Sequence, residues 1–354
     1  MYVEMVHPDA LSPADLDEYL ARGWYRMVQS IFTCRFVMMR GNVYSAMWLR
    51  LPLSDYRFKK SLRRRMTRNA NKFRIEMGPV ALSKEKERLY NIYRKTFPAD
   101  LSPSLEISLY GGSDRRIFDT HEFRVYDVDR LIACSFFDKG AKGLQSVLGI
   151  YDPEYSQHSL GLHTMLLEIQ YGVEGQYTYF YPGYVAPGYP TFDYKLRIGD
   201  VEAYDTMTGQ WVPFSHIDRS DMPDQQLSEG LSKLDHALEQ ANIPHELKLY
   251  PPFRLSGLDE RLENFLTQPL FYECFPGHKR GFCLGATYVY ETQTFHLDVF
   301  LRMHHPNLAE QLGDPNVQPG GPEACMDLLQ RVIRMGETQS ASAIARLVEE
   351  VGGV

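Results

Sequence analysis

The chain has little that would commit it to a membrane, a disulfide framework or a familiar covalent mechanism. No stretch of its 354 residues approaches the ~18 consecutive apolar residues of a membrane-spanning helix. Met1–Arg26 lacks the basic-then-apolar layout of a signal peptide, so the expectation is a cytoplasmic protein. The five cysteines (Cys34, Cys134, Cys274, Cys283 and Cys325) are odd in number, scattered and free of any Cys-x-x-Cys. That argues against a disulfide scaffold and fits reduced thiols. Neither a Gly-x-Ser-x-Gly elbow nor a Cys/His nucleophile signature is present, and there are no internal repeats. The formal charge of −7 excludes a protein that coats nucleic acid over its whole surface. Any RNA contact must come from a local basic patch.

What is present is a sizeable apolar content, 44% hydrophobic, and one informative stretch, Phe123–Lys195. Leu131–Phe137 is an apolar run bounded by charged residues and Gly140, short enough for a buried strand. Ser146–Tyr151 is a second run, stopped by Asp152-Pro153. Ser159 reads as the cap of a helix reaching about Tyr171, with Leu162, Met165, Leu166 and Ile169 on one apolar face. Tyr177–Tyr181 is a third, aromatic strand. Strand, strand, helix, strand is the core order of a GNAT-type acyltransferase. The expected fold class is therefore α+β: a GNAT-like mixed sheet flanked by helices, with N-terminal and C-terminal additions. The expected organisation is 1–80, ending in a basic helix; 81–205, the transferase core; and 206–354, an accessory region without a functional reading.

Elsewhere the local signals are conventional. Ser12-Pro13-Ala14-Asp15 is a helix start, and Gly23 its stop. Ser83–Phe97 and Leu227–Ala241 read as helices, Leu101–Phe118 as irregular, and Phe282–Arg302 as a hairpin turning near Glu291-Thr292. Pro322–Met335 and Ser340–Val351 read as two closing helices. Tyr56–Ile75 stands out, because it carries nine Lys or Arg residues and no acid. Phe58, Leu62, Met66, Ala70 and Phe73 recur every three or four residues, which predicts an amphipathic helix with a basic outer face. A solvated charged face is the ordinary reading of such a helix, and phosphate neutralisation is the functional one. Cys274, His278 and Cys283, with His304-His305, match no standard zinc spacing, and no metal site is expected.

The central stretch resembles the arginyl-tRNA–protein transferase family, which includes bacterial leucyltransferases acting on aspartate or glutamate N-termini. The resemblance rests on Asp138 at a strand end; Ser146-Val147 with Tyr151-Asp152-Pro153; Ser159-Leu160-Gly161; Tyr181, Gly183 and Tyr184; and Tyr194-Lys195. Gly23, Trp24 and Arg26 extend it toward the N-terminus, and the basic Tyr56–Ile75 stretch has a counterpart there too. The family's N-terminal cysteine cluster is missing, since only Cys34 lies in that region. The resemblance implies transfer of arginine or leucine from charged tRNA to an acidic protein N-terminus, the chemistry of protein arginylation and the N-degron pathway. It implies no cofactor beyond aminoacyl-tRNA as co-substrate. It also implies site candidates: Asp138, Tyr151 and Asp152 as catalytic; Trp24, Arg26, Ser146, Ser159, Tyr181, Gly183, Tyr184, Tyr194 and Lys195 as substrate-binding; and Lys59, Lys60, Arg63, Arg64, Arg65 and Arg68 as tRNA-binding.

Each candidate has a plainer reading. Asp138 is placed for a base or an ammonium anchor, or equally for capping a turn. Tyr151 and Asp152 orient substrate or end a strand. Tyr181 and Tyr184 stack on the terminal adenine or simply fill the core. Lys195 and Arg197 read the acceptor's acidic residue or are surface cations. Aminoacyl transfer itself needs an unprotonated amine, an oxyanion site and positioning of two large substrates, without a covalent intermediate. An acyl-CoA-dependent N-acyltransferase and a non-catalytic tRNA- or degron-binding protein are the alternatives. The first is disfavoured at His158–His163, where the Gly-rich pyrophosphate loop of acetyl-CoA users keeps a single glycine and ends in a bulky His.

Overall fold

The computed structural model describes residues 2–97, 101–255, 264–277, 281–306, 308, 312 and 321–352. Two compact units emerge: 6–33 with 47–216, and 1–5 with 34–46 and 217–354.

The first unit is built on an eight-stranded sheet. Its spatial order is Gln210–Pro213, Glu202–Asp205, Met47–Pro52, Tyr179–Val185, Gly143–Tyr151, Arg130–Lys139, Thr120–Asp127 and Arg74–Pro79. Every neighbouring pair runs antiparallel except Gly143–Tyr151 with Tyr179–Val185, which are parallel. The parallel crossover is the helix Leu160–Glu174, as the geometry of a parallel pair requires. Strands Met47–Pro52 and Arg74–Pro79, from the segment expected to precede the core, are members of the core's own sheet.

Arg130–Lys139 is the most buried strand, because both of its faces are covered. Cys134 and Phe136 pack with Leu89, Tyr90, Leu105 and Leu109 from the helices Lys84–Arg94 and Leu105–Tyr110. Phe137, on the other face, meets Tyr171 of the crossover helix at 5.5 Å between ring centres. Leu105–Tyr110 lies within the stretch expected to be irregular. It is a short helix capped by Ser104 and closed by Gly111 at φ +64°.

Asp138 falls on the Cys134–Phe136 face by the two-residue period of the strand. There it is fully buried, and its Oδ1 accepts hydrogen bonds from Arg26 Nη1 at 2.8 Å and Thr120 Oγ1 at 2.6 Å. The same Arg26 donates to the carbonyls of Val28 and Leu109 and lies over the Phe118 ring. One guanidinium thus ties the hairpin Tyr25–Met27/Ser30–Cys34 to the sheet and to the short helix.

Two elements differ from the sequence expectation. The basic helix runs only Lys60–Ala70. Arg74 onward is captured as an edge strand by pairing with Tyr126–His121, and a backbone ladder outweighs a helical period. Ser159 does not cap the crossover helix with its side chain; it stands at φ +50°, a left-handed conformation that costs a non-glycine residue about 1–3 kcal/mol. The helix is entered through that kink.

The second unit carries a six-stranded sheet with the helices Pro223–Gln240 and Ala341–Gly352 packed on it, and the hairpin Phe36–Met39/Asn42–Ser45. The expected hairpin is present as Phe282–Val289 and Thr294–Met303. The expected helix Pro322–Met335 is not; Leu328–Thr338 is a strand paired along Thr294–Met303. Its Leu328, Leu329, Val332 and Ile333 satisfy a helical spacing, but the ladder offered by the neighbouring strand decides the conformation. Among the described residues, no helix is long and apolar enough to cross a membrane.

The Arg26–Asp138 pair predicts an asymmetric mutational response. Arg26→Leu, which strands a buried carboxylate, is expected to cost roughly 3–5 kcal/mol, measured as a shift in urea midpoint at constant slope. The Arg26→Leu/Asp138→Leu double variant is expected to recover part of that loss.

Candidate active site

The parallel pair holds only from Gly143–Gln145 against Tyr179–Tyr181. Beyond it, both strands break register, one between Ser146 and Leu148 and the other between Phe180 and Gly183. Bulges increase local twist and bend a strand away from its partner. The strands part, and a cavity of about 500 Å³ opens in the gap. Ser146–Gly149 and Tyr151 form one wall, and Pro182 begins the other. The floor is the face of the crossover helix bearing Gly161, Thr164, Met165 and Glu168, a helical repeat. Tyr93, Thr96 and Phe97 close one side, Thr191–Arg197 the other, and Arg65 reaches in from the basic helix. Gly161 is needed here, because a Cβ at this position would meet the Tyr151 ring at 3.2 Å.

The sequence candidates divide accordingly. Tyr151, Ser146, Ser159, Tyr194 and Lys195 line the cavity. Asp138 and Arg26 are committed to each other on the opposite face of the sheet. Asp152 caps the turn Pro153–His158 through Glu154 N and pairs with Arg130. Trp24, just before the N-terminal hairpin, sits against Tyr19 of the helix Pro13–Ala21. Tyr181 is core, wedged between Tyr25 and Trp211. Gly183, at φ +87°, lets Lys195 Nζ come within 3.2 Å of where its Cβ would be. Lys195 donates to the Tyr184 carbonyl at 2.8 Å and lies over the Tyr184 and Phe192 rings. Its residue surface is partly open at the cavity, but its ammonium is enclosed by protein, and burial draws its pKa down to about 7.

Glu168 escaped sequence reasoning, since it reads as one polar residue in an apolar helix. It is completely buried and no cation pairs with it; its polar neighbours are the hydroxyls of Ser135 and Ser146. Burial pushes its pKa up to about 8; Ser135 and Ser146 alongside oppose the shift, and Asp138 adds to it from beyond the strand. The only available signal was its position, one turn past Thr164 on the helix that follows the Ser-Leu-Gly start.

The basic helix presents Lys59, Lys60, Arg63, Arg64 and Arg68 to solvent, with Arg65 half-buried. Among the described residues, only Lys59 of these has a carboxylate partner, Asp200 at 3.5 Å. Leu62 and Asn69 are its buried positions, and Asn69 Nδ2 anchors the helix to the His158 carbonyl. The group Cys274, His278 and Cys283 includes His278, which lies outside the described residues. Burial raises the Cys274 thiol to about 12.

A mixed sheet whose two parallel strands part over the start of a crossover helix has the layout of a GNAT-like core. Residues 83–205 match the family described as "Arginine-tRNA-protein transferase, C terminus". Curated relatives are named aspartate/glutamate leucyltransferase. The protein from Ruegeria pomeroyi is 30% identical over 175 residues, covering 46% of this chain and 60% of that one. That from Leptospira interrogans is 28% identical, covering 41% and 58%, and that from Campylobacter jejuni 29%, covering 51% and 75%. The chain thus spans about three fifths of the length of the Ruegeria and Leptospira relatives. Solved structures superpose weakly. A GCN5-related glucosamine N-acetyltransferase region of a fungal β-N-acetylglucosaminidase gives a TM-score of 0.32 at 15% identity, over 48% of this chain and 20% of that one. At that level it adds nothing to the strand order.

The raised Glu168 pKa has a signed consequence. The unfolded chain loses this proton near pH 4.5 and the folded one only near 8, so its contribution falls as pH rises across that window, by about 1.4 kcal/mol per unit. Glu168→Gln removes the penalty. Denaturation of both forms at several pH values is expected to coincide near pH 4.5 and to diverge upward, with the variant more stable at pH 8.

Proposed function

We infer that this protein transfers an aminoacyl group from charged tRNA to the N-terminal amine of a protein beginning with an acidic residue. One observation carries the reading: every residue lining the cavity except Arg65 falls inside residues 83–205, the span matched by the transferase family. The family resemblance and the chemically equipped space coincide.

The reaction joins an amine nitrogen to an ester carbonyl carbon and releases the ribose hydroxyl. A cavity in the gap between two sheet strands can hold the two reacting ends side by side, which is most of what this reaction asks of a catalyst. The cations of the basic helix, largely without carboxylate partners, suit a phosphate backbone, and Arg65 links that face to the cavity. Lys195 and Arg197 at the cavity wall suit the carboxylate of an acidic acceptor residue. The leucyltransferase names of the relatives favour the same acceptor class. At His158–His163 the single Gly161 leaves a CoA pyrophosphate without a glycine-rich cradle, which favours a tRNA-borne donor over an acyl-CoA.

Transfer of labelled amino acid from a total charged tRNA pool to peptides beginning with Asp, Glu or Ala tests the reading. Label is expected on the Asp and Glu peptides only. Binding of tRNA without transfer would favour a non-catalytic binding protein, and tight acetyl-CoA binding an N-acyltransferase. Arg63→Glu/Arg64→Glu is expected to weaken tRNA binding at least tenfold and to reduce the steepness of its salt dependence, measured by filter binding across a salt series.

A further inference from the structure

Among the described residues, seven carboxylates are buried, and six of them face a cation. Glu122 is held by Lys86, Asp138 by Arg26, Asp152 by Arg130, Asp224 by Arg219, Glu273 by Arg302 and Asp298 by Arg334. Glu168 is the seventh: no cation faces it, and the neutral hydroxyls of Ser135 and Ser146 stand beside it. Leaving a carboxyl group without a cation in a protein interior is destabilising, a cost that an apolar Met at this site would avoid. The fold answers its other buried acids with a guanidinium or ammonium and withholds one at the floor of the cavity.

We propose that Glu168 is the proton acceptor that frees the acceptor's N-terminal amine for attack, a role that rests on the transferase reading above. The acceptor's ammonium gives one proton to a Glu168 oxygen. The freed lone pair bonds to the ester carbonyl carbon, the carbon–oxygen bond to the ribose breaks, and the second amine proton leaves on the ribose hydroxyl. Glu168 then returns its proton to water. Other titratable groups are differently placed. Lys195 Nζ is engaged by the Tyr184 carbonyl, and Asp138 is bound to Arg26 beyond the sheet. His163 is buried on the same helix but does not line the cavity. Tyr93, Tyr151, Tyr194, Arg65 and Arg197 complete the ionisable wall, and burial lifts Tyr93 and Tyr194 further from neutrality. The raised pKa of Glu168 matches it to an amine's proton near neutral pH.

The test uses the full chain, charged tRNA and two versions of one acidic-N-terminal peptide. One carries the ordinary α-amine and the other an aminooxy group, already unprotonated at neutral pH. In single turnovers over roughly pH 6 to 9, Glu168→Gln is expected to slow transfer to the amine on the order of a hundredfold. It is expected to leave transfer to the aminooxy peptide within about threefold of wild type, while its residual amine transfer follows the free-amine fraction of the peptide alone. Glu168→Asp, which keeps the carboxylate, is expected to restore amine transfer in part. Undiminished amine transfer by Glu168→Gln overturns the proposal, as does an equal loss with both nucleophiles while tRNA binding persists. Absence of transfer to either peptide by the wild-type protein overturns the transferase reading, and the proposal falls with it.

Discussion

The site depends on a single constraint in the sheet: two parallel strands that can pair for only three residues. Gly143–Gln145 and Tyr179–Tyr181 are hydrogen-bonded partners, and immediately afterwards each strand carries a register shift. A parallel ladder that continued would bury its backbone groups in pairs and leave no room between strands. The bulges divert both strands, and the crossover helix slides its polar positions under the gap. Ser146, Gly161, Thr164 and Glu168 reach one cavity for that reason, although they come from different elements.

Around that opening, the remainder of the unit serves to keep it rigid. The Arg26 guanidinium satisfies a buried carboxylate and two carbonyls at once, so the N-terminal hairpin, the short helix Leu105–Tyr110 and the strand bearing Asp138 cannot move independently. Lys86 does the same for Glu122 on the neighbouring strand. These are stabilising devices on the face of the sheet away from Ser135 and the crossover helix. On the cavity side no carboxylate is paired with a cation, and two of the ionisable groups there, Glu168 and Lys195, are drawn toward neutrality by burial. The proposed transfer, which moves a proton and selects an acidic residue, is served by both properties.

Much of the architecture was legible in the residues. Leu131–Phe137 and Ser146–Tyr151 announced buried strands by their apolar runs and their Asp/Pro/Gly punctuation, and the crossover helix by its 3.6-residue period. Ser12 announced a helix start, and the structure closes it as a capping box with Asp15 bonding back to Ser12. Tyr151, Ser146, Ser159, Tyr194 and Lys195, all carried by the family resemblance, do line the cavity. The C-terminal strand Leu328–Thr338 was misread as a helix, because its apolar residues fit either period and only the offered edge of Thr294–Met303 decides between them.

The sequence by itself determined the order of strands and helix that makes a GNAT-like core, and the concentration of cations on one segment. Both are local, written in spacing and composition within a few residues. Tertiary structure alone decided which carboxylate is free. Asp138 meets Arg26 from 112 positions away, whereas Glu168 meets no cation, and nothing in the spacing of either residue tells the two outcomes apart. The state of a buried acid depends on what its surroundings exclude or supply, and those surroundings are assembled from distant segments only when the sheet closes.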